Sequence, residues 1–195
     1  LWNLIVKKNE IKINKKRISL KSFLLKEKFF IKIKKKIKRL KIIDQKELLK
    51  NIFNKKIIND NKKLFLNKKD IQNLLKDNLV TIGSHTYDHL SLKNFNKNVV
   101  IKQIKDSKRY LEKTFKIPIK HFSYPYGQSE DIKFNEHKIL KDQGYLTSVT
   151  TREHSNTKQN QYYLDRCPIG PYVNIEDFHR KILGVDKLIK KILLK

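Results

Sequence analysis

Residues 10 to 20, EIKINKKRISL, alternate apolar and charged side chains around a central Asn-Lys-Lys, a two-residue period broken by a turn, and predict a small exposed hairpin. The stretch that follows, SFLLKEKFFIKIKKKIKRLKII, places Phe29, Ile33, Ile37 and Leu40 at helical spacing behind Ser22, whose hydroxyl can cap the first turn. Lysines fill the opposite face, so this is a basic amphipathic helix, read as a solvated face laid on the rest of the domain. Shorter helices are expected after Asp44, through QKELLKNIF, and after Asn67, through KKDIQNLLKDN.

From residue 79 the period changes. LVTIG (79–83), IKHFSYPYG (119–127, ending at a proline) and YLTSVTT (145–151) read as short strands. Between them, NVVIKQIKDSKRYLEKTF (98–115) and EDIKFNEHKILKDQG (130–144, closed by Gly144) read as helices. Strands joined through helices run parallel, and chemistry then collects on the loops at their carboxyl ends. The motifs SHTYDH and SYPYG both fall at such ends. With 195 residues and neither an internal repeat nor a Gly/Ser-rich linker, one domain is expected.

Charge changes this picture less than its size suggests. The formal net charge of +27 comes from 46 Lys and Arg against 19 Asp and Glu, which ordinarily points to an anionic partner. Only six of those cations are Arg, however, and Ala and Met are missing while Lys, Asn, Ile and Leu abound, the signature of an AT-rich genome acting on tolerant positions. Nucleic-acid surfaces exploit the planar fork of Arg, so a nucleic-acid partner is disfavoured. A membrane surface or anionic polymer against the basic helix is the sharper alternative to a merely solvated face. The lone Cys167, before Pro168, rules out an internal disulfide and is expected to be a small buried hydrophobe. No run of about 18 apolar residues occurs, and LWNLIVKKNE is too short in apolar residues for a signal peptide. The absence of Met, position 1 included, leads us to expect that translation begins upstream of Leu1.

The candidate chemistry starts from His85 and His89 in VTIGSHTYDHLSL. A neutral imidazole is the commonest nitrogen ligand for zinc-like metals, and two of them four residues apart can point at one ion. Alone the pair is a weak pattern that also reads as a polar loop. Gly83 and Ser84 supply a tight exit from the strand, and Asp88 lies where it could orient an imidazole from behind the metal.

SHTYDHLSL followed about thirty residues later by FSYPYG resembles the second and third motifs of the polysaccharide deacetylases, also called the NodB-homology or carbohydrate esterase family 4 domain. YLTSVTTREHSN and YLDRCPI are similar to the polysaccharide-biosynthesis branch, so the specific match spans roughly residues 64 to 170. The resemblance implies a distorted (β/α) barrel, incomplete at its amino-terminal side. It divides the chain into a basic hairpin and helical insertion (1–63), a barrel portion (64–175) and a carboxyl-terminal helix (176–195). It implies a hydrolase that removes acetyl groups from an N-acetylated polysaccharide or oligosaccharide, with a divalent metal, zinc first, held by His85 and His89. The Pro125-Tyr126-Gly127 loop would hold the oxyanion through a backbone N–H, with Ser84, Asp88, Tyr124 and Arg166 behind the ligands or against substrate.

The departures bear on activity. The family's Thr-Phe-Asp-Asp-Gly motif, source of the catalytic base and the third ligand, is missing from these 195 residues, and is expected upstream of LWNLIV. Ser123 stands where the family often has Arg, and no closing Leu-x-His motif is recognisable, leaving His154 or His179 as stand-ins for the general acid. The chain as given is therefore expected to have little activity. Two rivals stand beside the enzyme: a non-catalytic carbohydrate-binding relic of the same fold, and a basic module for anionic surfaces. Tyr124 to Tyr126 could also be a rigid turn that only packs, and Arg166 a cover over the barrel end. Bacterial cytoplasm and cell envelope both remain open.

Overall fold

The computed structural model describes residues 1–13, 16–53, 65–133, 135–152, 160–170 and 172–185. The hairpin tip at 14–15, His154 and residues 186–195 lie outside them. The chain forms two compact units, Leu1–Thr81 and Ile82–Lys195.

In the first unit, α1 (Trp2–Val6) leads into the antiparallel strands β1 (Glu10–Ile13) and β2 (Lys16–Ser19), whose register runs from Glu10 opposite Ser19 to Ile13 opposite Lys16. This is the hairpin that the alternating residues predict. The basic helix is α2 (Phe23–Ile37), started by Ser22, whose Oγ accepts from the Leu25 N–H at 3.3 Å. It buries Phe29 and Ile33, with Ile37 half-buried, against Ile5, Ile11, Leu20, Ile52 and Phe53. Each such side chain removed from water contributes about 1.5 to 3 kcal/mol. Helix α3 (Ile42–Ile52) begins slightly before the expected Asp44, which then lies in its first turn where a carboxylate favours the helix dipole. Helix α4 (Lys68–Leu74) opens on a capping box: Asn67 Oδ1 accepts from the Asp70 N–H, and Asp70 Oδ2 accepts from the Asn67 N–H.

The second unit carries the parallel sheet. Strands β3 (His121–Ser123) and β4 (Thr147–Val149) pair in parallel, Ser84 bridges to Phe122 on one side, and Leu164 bridges to Val149 on the other. The result is four parallel positions in the order Ser84, β3, β4, Leu164. Among the described residues the sheet is open and no barrel closes. Residues 79–83 also fall short of the expected strand. Asp77 takes the Leu79 N–H on Oδ1 and the Val80 N–H on its carbonyl, a turn that occupies the first two donors of the expected strand, and pairing begins at Ser84.

Helix α5 (Lys97–Phe115) crosses between the Ser84 segment and β3. Asn96 caps it, and it ends at Lys116 in the left-handed region (φ 57). Its buried face is Val100, Gln103, Ile104 and Ser107. Helix α6 (Glu136–Asp142) is shorter than the expected 130–144. A 3-10 turn covers Ser129–Asp131 and Ile132 is extended and buried, so the helix starts only after Asn135. Helix α7 (Ile175–Ile182) follows its cap, Asn174. The core joins Ile104, Ile119, Phe122, Tyr124, Leu140 and Tyr145.

Cys167 is exposed, contrary to the expected buried hydrophobe. It follows the bridge at Leu164 and precedes Pro168, which has no N–H to continue a ladder, so the chain leaves the sheet there.

Candidate active site

The Ser84 bridge and β3 are neighbours, so the loops that follow them meet. His85, the first residue past the bridge, turns its Nδ1 onto the Ser123 carbonyl at 2.6 Å. A carbonyl has no proton to give, so Nδ1 carries the hydrogen and the lone pair lies on Nε2. The His89 ring comes to 4.7 Å of the His85 ring, centroid to centroid, and to 4.8 Å of the Tyr126 ring. Three residues predicted from two separate motifs thus form one cluster.

The backbone of both loops is unusual. Thr86 (φ 64), His89 (φ 55) and Tyr126 (φ 62) occupy the left-handed region that side chains with a Cβ rarely adopt. Such conformations persist only where surrounding bonds over-determine them, and they gather at functional sites. Here the bonds are identifiable. Gln103 on α5 clamps the histidine loop by accepting the Asp88 N–H on Oε1 (2.8 Å) and donating Nε2–H to Asp88 Oδ2 (2.7 Å). Thr151, past β4, clamps the other loop: Oγ1 donates to the Tyr126 carbonyl (2.6 Å) and N–H to the Gly127 carbonyl (3.0 Å). Gly127 is obligatory, because its φ is +69 and a Cβ would stand 2.7 Å from the Thr151 nitrogen.

Electrostatics keep the imidazoles neutral. Desolvation lowers the pKa of His85, with the Arg166 charge adding to it and the Ser123 hydrogen bond opposing. For His89 desolvation again leads, followed by repulsion from His85. Each ring still has an edge open to solvent. Neutral, open imidazoles are what a metal ligand requires. Among the described residues no group of three or more His, Cys, Asp and Glu side chains converges as a metal cage.

Several predicted residues fall elsewhere. Ser84 is buried, its Oγ 2.5 Å from Ser107 Oγ, and so ties the bridge to α5 rather than meeting substrate. Tyr124 is only 1% exposed, stacks on Tyr163 and donates its hydroxyl to the Tyr162 carbonyl. It is core, because the strand's alternation turns it inward. Pro125 and Gly127 are buried too, so Tyr126 is the part of that loop that reaches the surface. Asp88 does not orient an imidazole. Its carboxylate is taken by Gln103, and the Ser123 carbonyl does the orienting. Arg166 donates Nε–H to the Thr150 carbonyl (2.6 Å) and is felt by His85, which puts its charge beside the cluster. His179 is exposed on α7 with Phe178 as its ring neighbour.

With two loops and their clamps in place, comparison with known proteins settles the family. The profile of the polysaccharide deacetylases matches residues 20–147. The chain belongs to the polysaccharide deacetylase family. A poly-beta-1,6-N-acetyl-D-glucosamine N-deacetylase of Staphylococcus aureus is 30% identical over 114 residues, covering 54% of this chain and 38% of that protein. The chain thus spans well under half the length of that relative. Among solved structures, the Streptococcus pyogenes deacetylase PplD in complex with acetate superposes with a TM-score of 0.54 at 25% identity, over 60% of this chain and 50% of that one. The polysaccharide deacetylase BC0361 of Bacillus cereus, at 21% identity, supports the fold alone, with a TM-score of 0.51 over 60% of this chain and 36% of that one.

Proposed function

We propose that this chain carries the histidine side of a metal-dependent centre that hydrolyses N-acetyl groups on a polysaccharide. The observation that supports it is the His85–His89–Tyr126 cluster, with His85 held in the tautomer that leaves Nε2 as an acceptor. Residue types, spacing and protonation fit a divalent metal, zinc first, as two of its ligands. A bound metal would supply Lewis acidity toward the acetamide carbonyl and toward water.

The chain's own residues do the rest. Ser123 fixes His85, and the left-handed turn at His89 brings the second ring beside the first. Pro125 has no N–H and the Gly127 N–H closes on the Pro125 carbonyl at 2.7 Å, so within the loop the oxyanion role falls to the Tyr126 amide, which Thr151 holds in place. Arg166 adds a positive charge beside the acetyl group's landing place. The relative from Staphylococcus aureus and the acetate in PplD make a β-1,6-linked N-acetylglucosamine polymer the substrate to try first.

The sequence holds no Asp-Asp pair, so the base that the family resemblance would supply is not among these residues and turnover is expected to be slow. Binding is therefore the better test. Isothermal titration with a β-1,6-N-acetylglucosamine oligomer should show tighter binding with zinc than without, and His85→Ala or His89→Ala should remove the difference. Affinity indifferent to zinc would favour the non-catalytic carbohydrate-binding reading and overturn this one.

A further inference from the structure

Helix α2 buries one face in the first unit and leaves the other without a partner of its own kind. Along the middle of the open face, Leu24 (56% exposed) and Ile31 (44% exposed) stand seven residues, two turns, apart. Lys28 and Lys35 lie in the same line, and Lys32 and Arg39 flank it, all exposed. Phe23 (68% exposed) and Leu25 extend the apolar end. Glu27 is the helix's single acidic residue. Among the described residues no carboxylate pairs with Lys28, Lys32, Lys35 or Arg39.

A solvated helix face carries its apolar side chains singly rather than in line between cations, and a nucleic-acid face is basic but gains nothing from two leucine-like side chains at its centre. Apolar residues ringed by long cationic side chains match a third environment, the boundary between lipid headgroups and acyl chains. There Leu and Ile enter the apolar layer while lysine stems run along it and deliver their ammonium groups to phosphate. No described helix is long and apolar enough to cross a membrane, so the geometry is that of a helix lying in the surface.

We propose that α2 docks with its open face on an anionic lipid surface, Leu24 and Ile31 entering the headgroup boundary and Lys28, Lys32, Lys35 and Arg39 meeting lipid phosphates. This is independent of the chemistry assigned to the histidine cluster. Trp2 supplies a reporter, since it is the chain's single tryptophan and packs edge-on against Phe23 at 5.7 Å.

The full chain is titrated with vesicles of phosphatidylcholine alone and of phosphatidylcholine with phosphatidylglycerol, and followed by co-sedimentation and Trp2 emission. The expected result is binding to the phosphatidylglycerol vesicles with a blue shift of Trp2, weakening as salt rises. The double variant Leu24→Asp, Ile31→Asp should lose about tenfold or more in partitioning, since each apolar side chain no longer leaves water. The double variant Lys28→Gln, Lys35→Gln should lose about half of the salt dependence while keeping the circular dichroism of the parent. Three results would overturn the proposal: no binding to either vesicle, binding to heparin or RNA that survives Leu24→Asp, Ile31→Asp as well as vesicle binding does, or self-association of the free protein that the same variant abolishes.

Discussion

The two units solve their cores in opposite ways. The first buries Ile5, Ile11, Leu20, Phe29, Ile33, Ile52 and Phe53, and no polar side chain is buried there among the described residues. Among its described residues the second buries twelve apolar side chains together with nine polar ones, from Ser84 to Asp165. Among the described residues, all four with a Cβ and a positive φ also belong to the second unit. Buried polar groups cost free energy unless each finds a partner, so their concentration marks where the fold needs fixed orientation rather than only burial. Their bonds bear this out: Ser84 to Ser107, Gln103 to Asp88, Ser91 to Asp131 (2.8 Å), and Thr150 with Arg152 to Asp165 (2.9 and 3.0 Å). Each ties a strand end or its loop to another element. The first unit is held by apolar contact and exposes its cations; the second uses polar contact to aim two loops at each other.

The contrast can be broken most severely in the first unit. Phe29→Ala empties a buried aromatic site and should cost about 4 kcal/mol in urea unfolding, while histidine resonances and zinc binding of the remaining folded protein stay as they were. Loss of zinc binding in that folded fraction would mean that the units are not separable in function.

Next, Arg152→Ala removes the cation that faces Asp165, whose side chain is fully buried, and should cost about 3 kcal/mol. Because Arg152 and Thr150 share that carboxylate next to the Thr151 clamp, this variant should also disturb the Tyr126 amide resonance, which Phe29→Ala should not.

A third variant concerns Glu136, which is 1% exposed and has a buried Oε2 without a partner. Burial pushes its carboxyl up to about 7, opposed by the Lys133 N–H. The neutral form is the one the fold favours, so the stability this group contributes is complete below its ordinary 4.5 and is lost as pH rises toward 7. Glu136→Gln should match the parent below that range and be more stable by about 3 kcal/mol above it. Unfolding curves that differ equally at pH 4 and pH 8 would refute this.

The smallest expected effect is the most local. Gln103→Leu removes both bonds to Asp88 and should weaken zinc binding roughly fivefold, about 1 kcal/mol, with little change in melting temperature.

How much of this was legible follows the same division. The hairpin, α2 and α5 follow from periodicity, because local pattern and burial agree there. His85, His89 and Tyr126 were legible as motif residues. The clamps were missed: Gln103 and Ser107 are polar positions inside the apolar stripe of α5, a signal that was present, whereas Thr151 acts through the backbone of another loop and leaves no local trace. Ser84, Asp88 and Tyr124 were assigned to the site because motif membership does not say which way a side chain turns. The expected strand at 79–83 is shortened at its start, where the hydrogen bonds of Asp77, invisible to an apolar count, take the N–H groups of Leu79 and Val80.

The central claim is that His85 and His89 act as one metal-binding pair beside Tyr126. Long-range proton–nitrogen correlation spectra of the histidine rings, recorded at neutral pH during a zinc titration, test it most directly. The account predicts that His85 begins with its proton on Nδ1, that its Nε2 and one nitrogen of His89 shift together to a single endpoint at one equivalent of zinc, and that the Tyr126 amide moves with them. A His85 proton on Nε2, or His89 titrating at a different zinc concentration from His85, would contradict it.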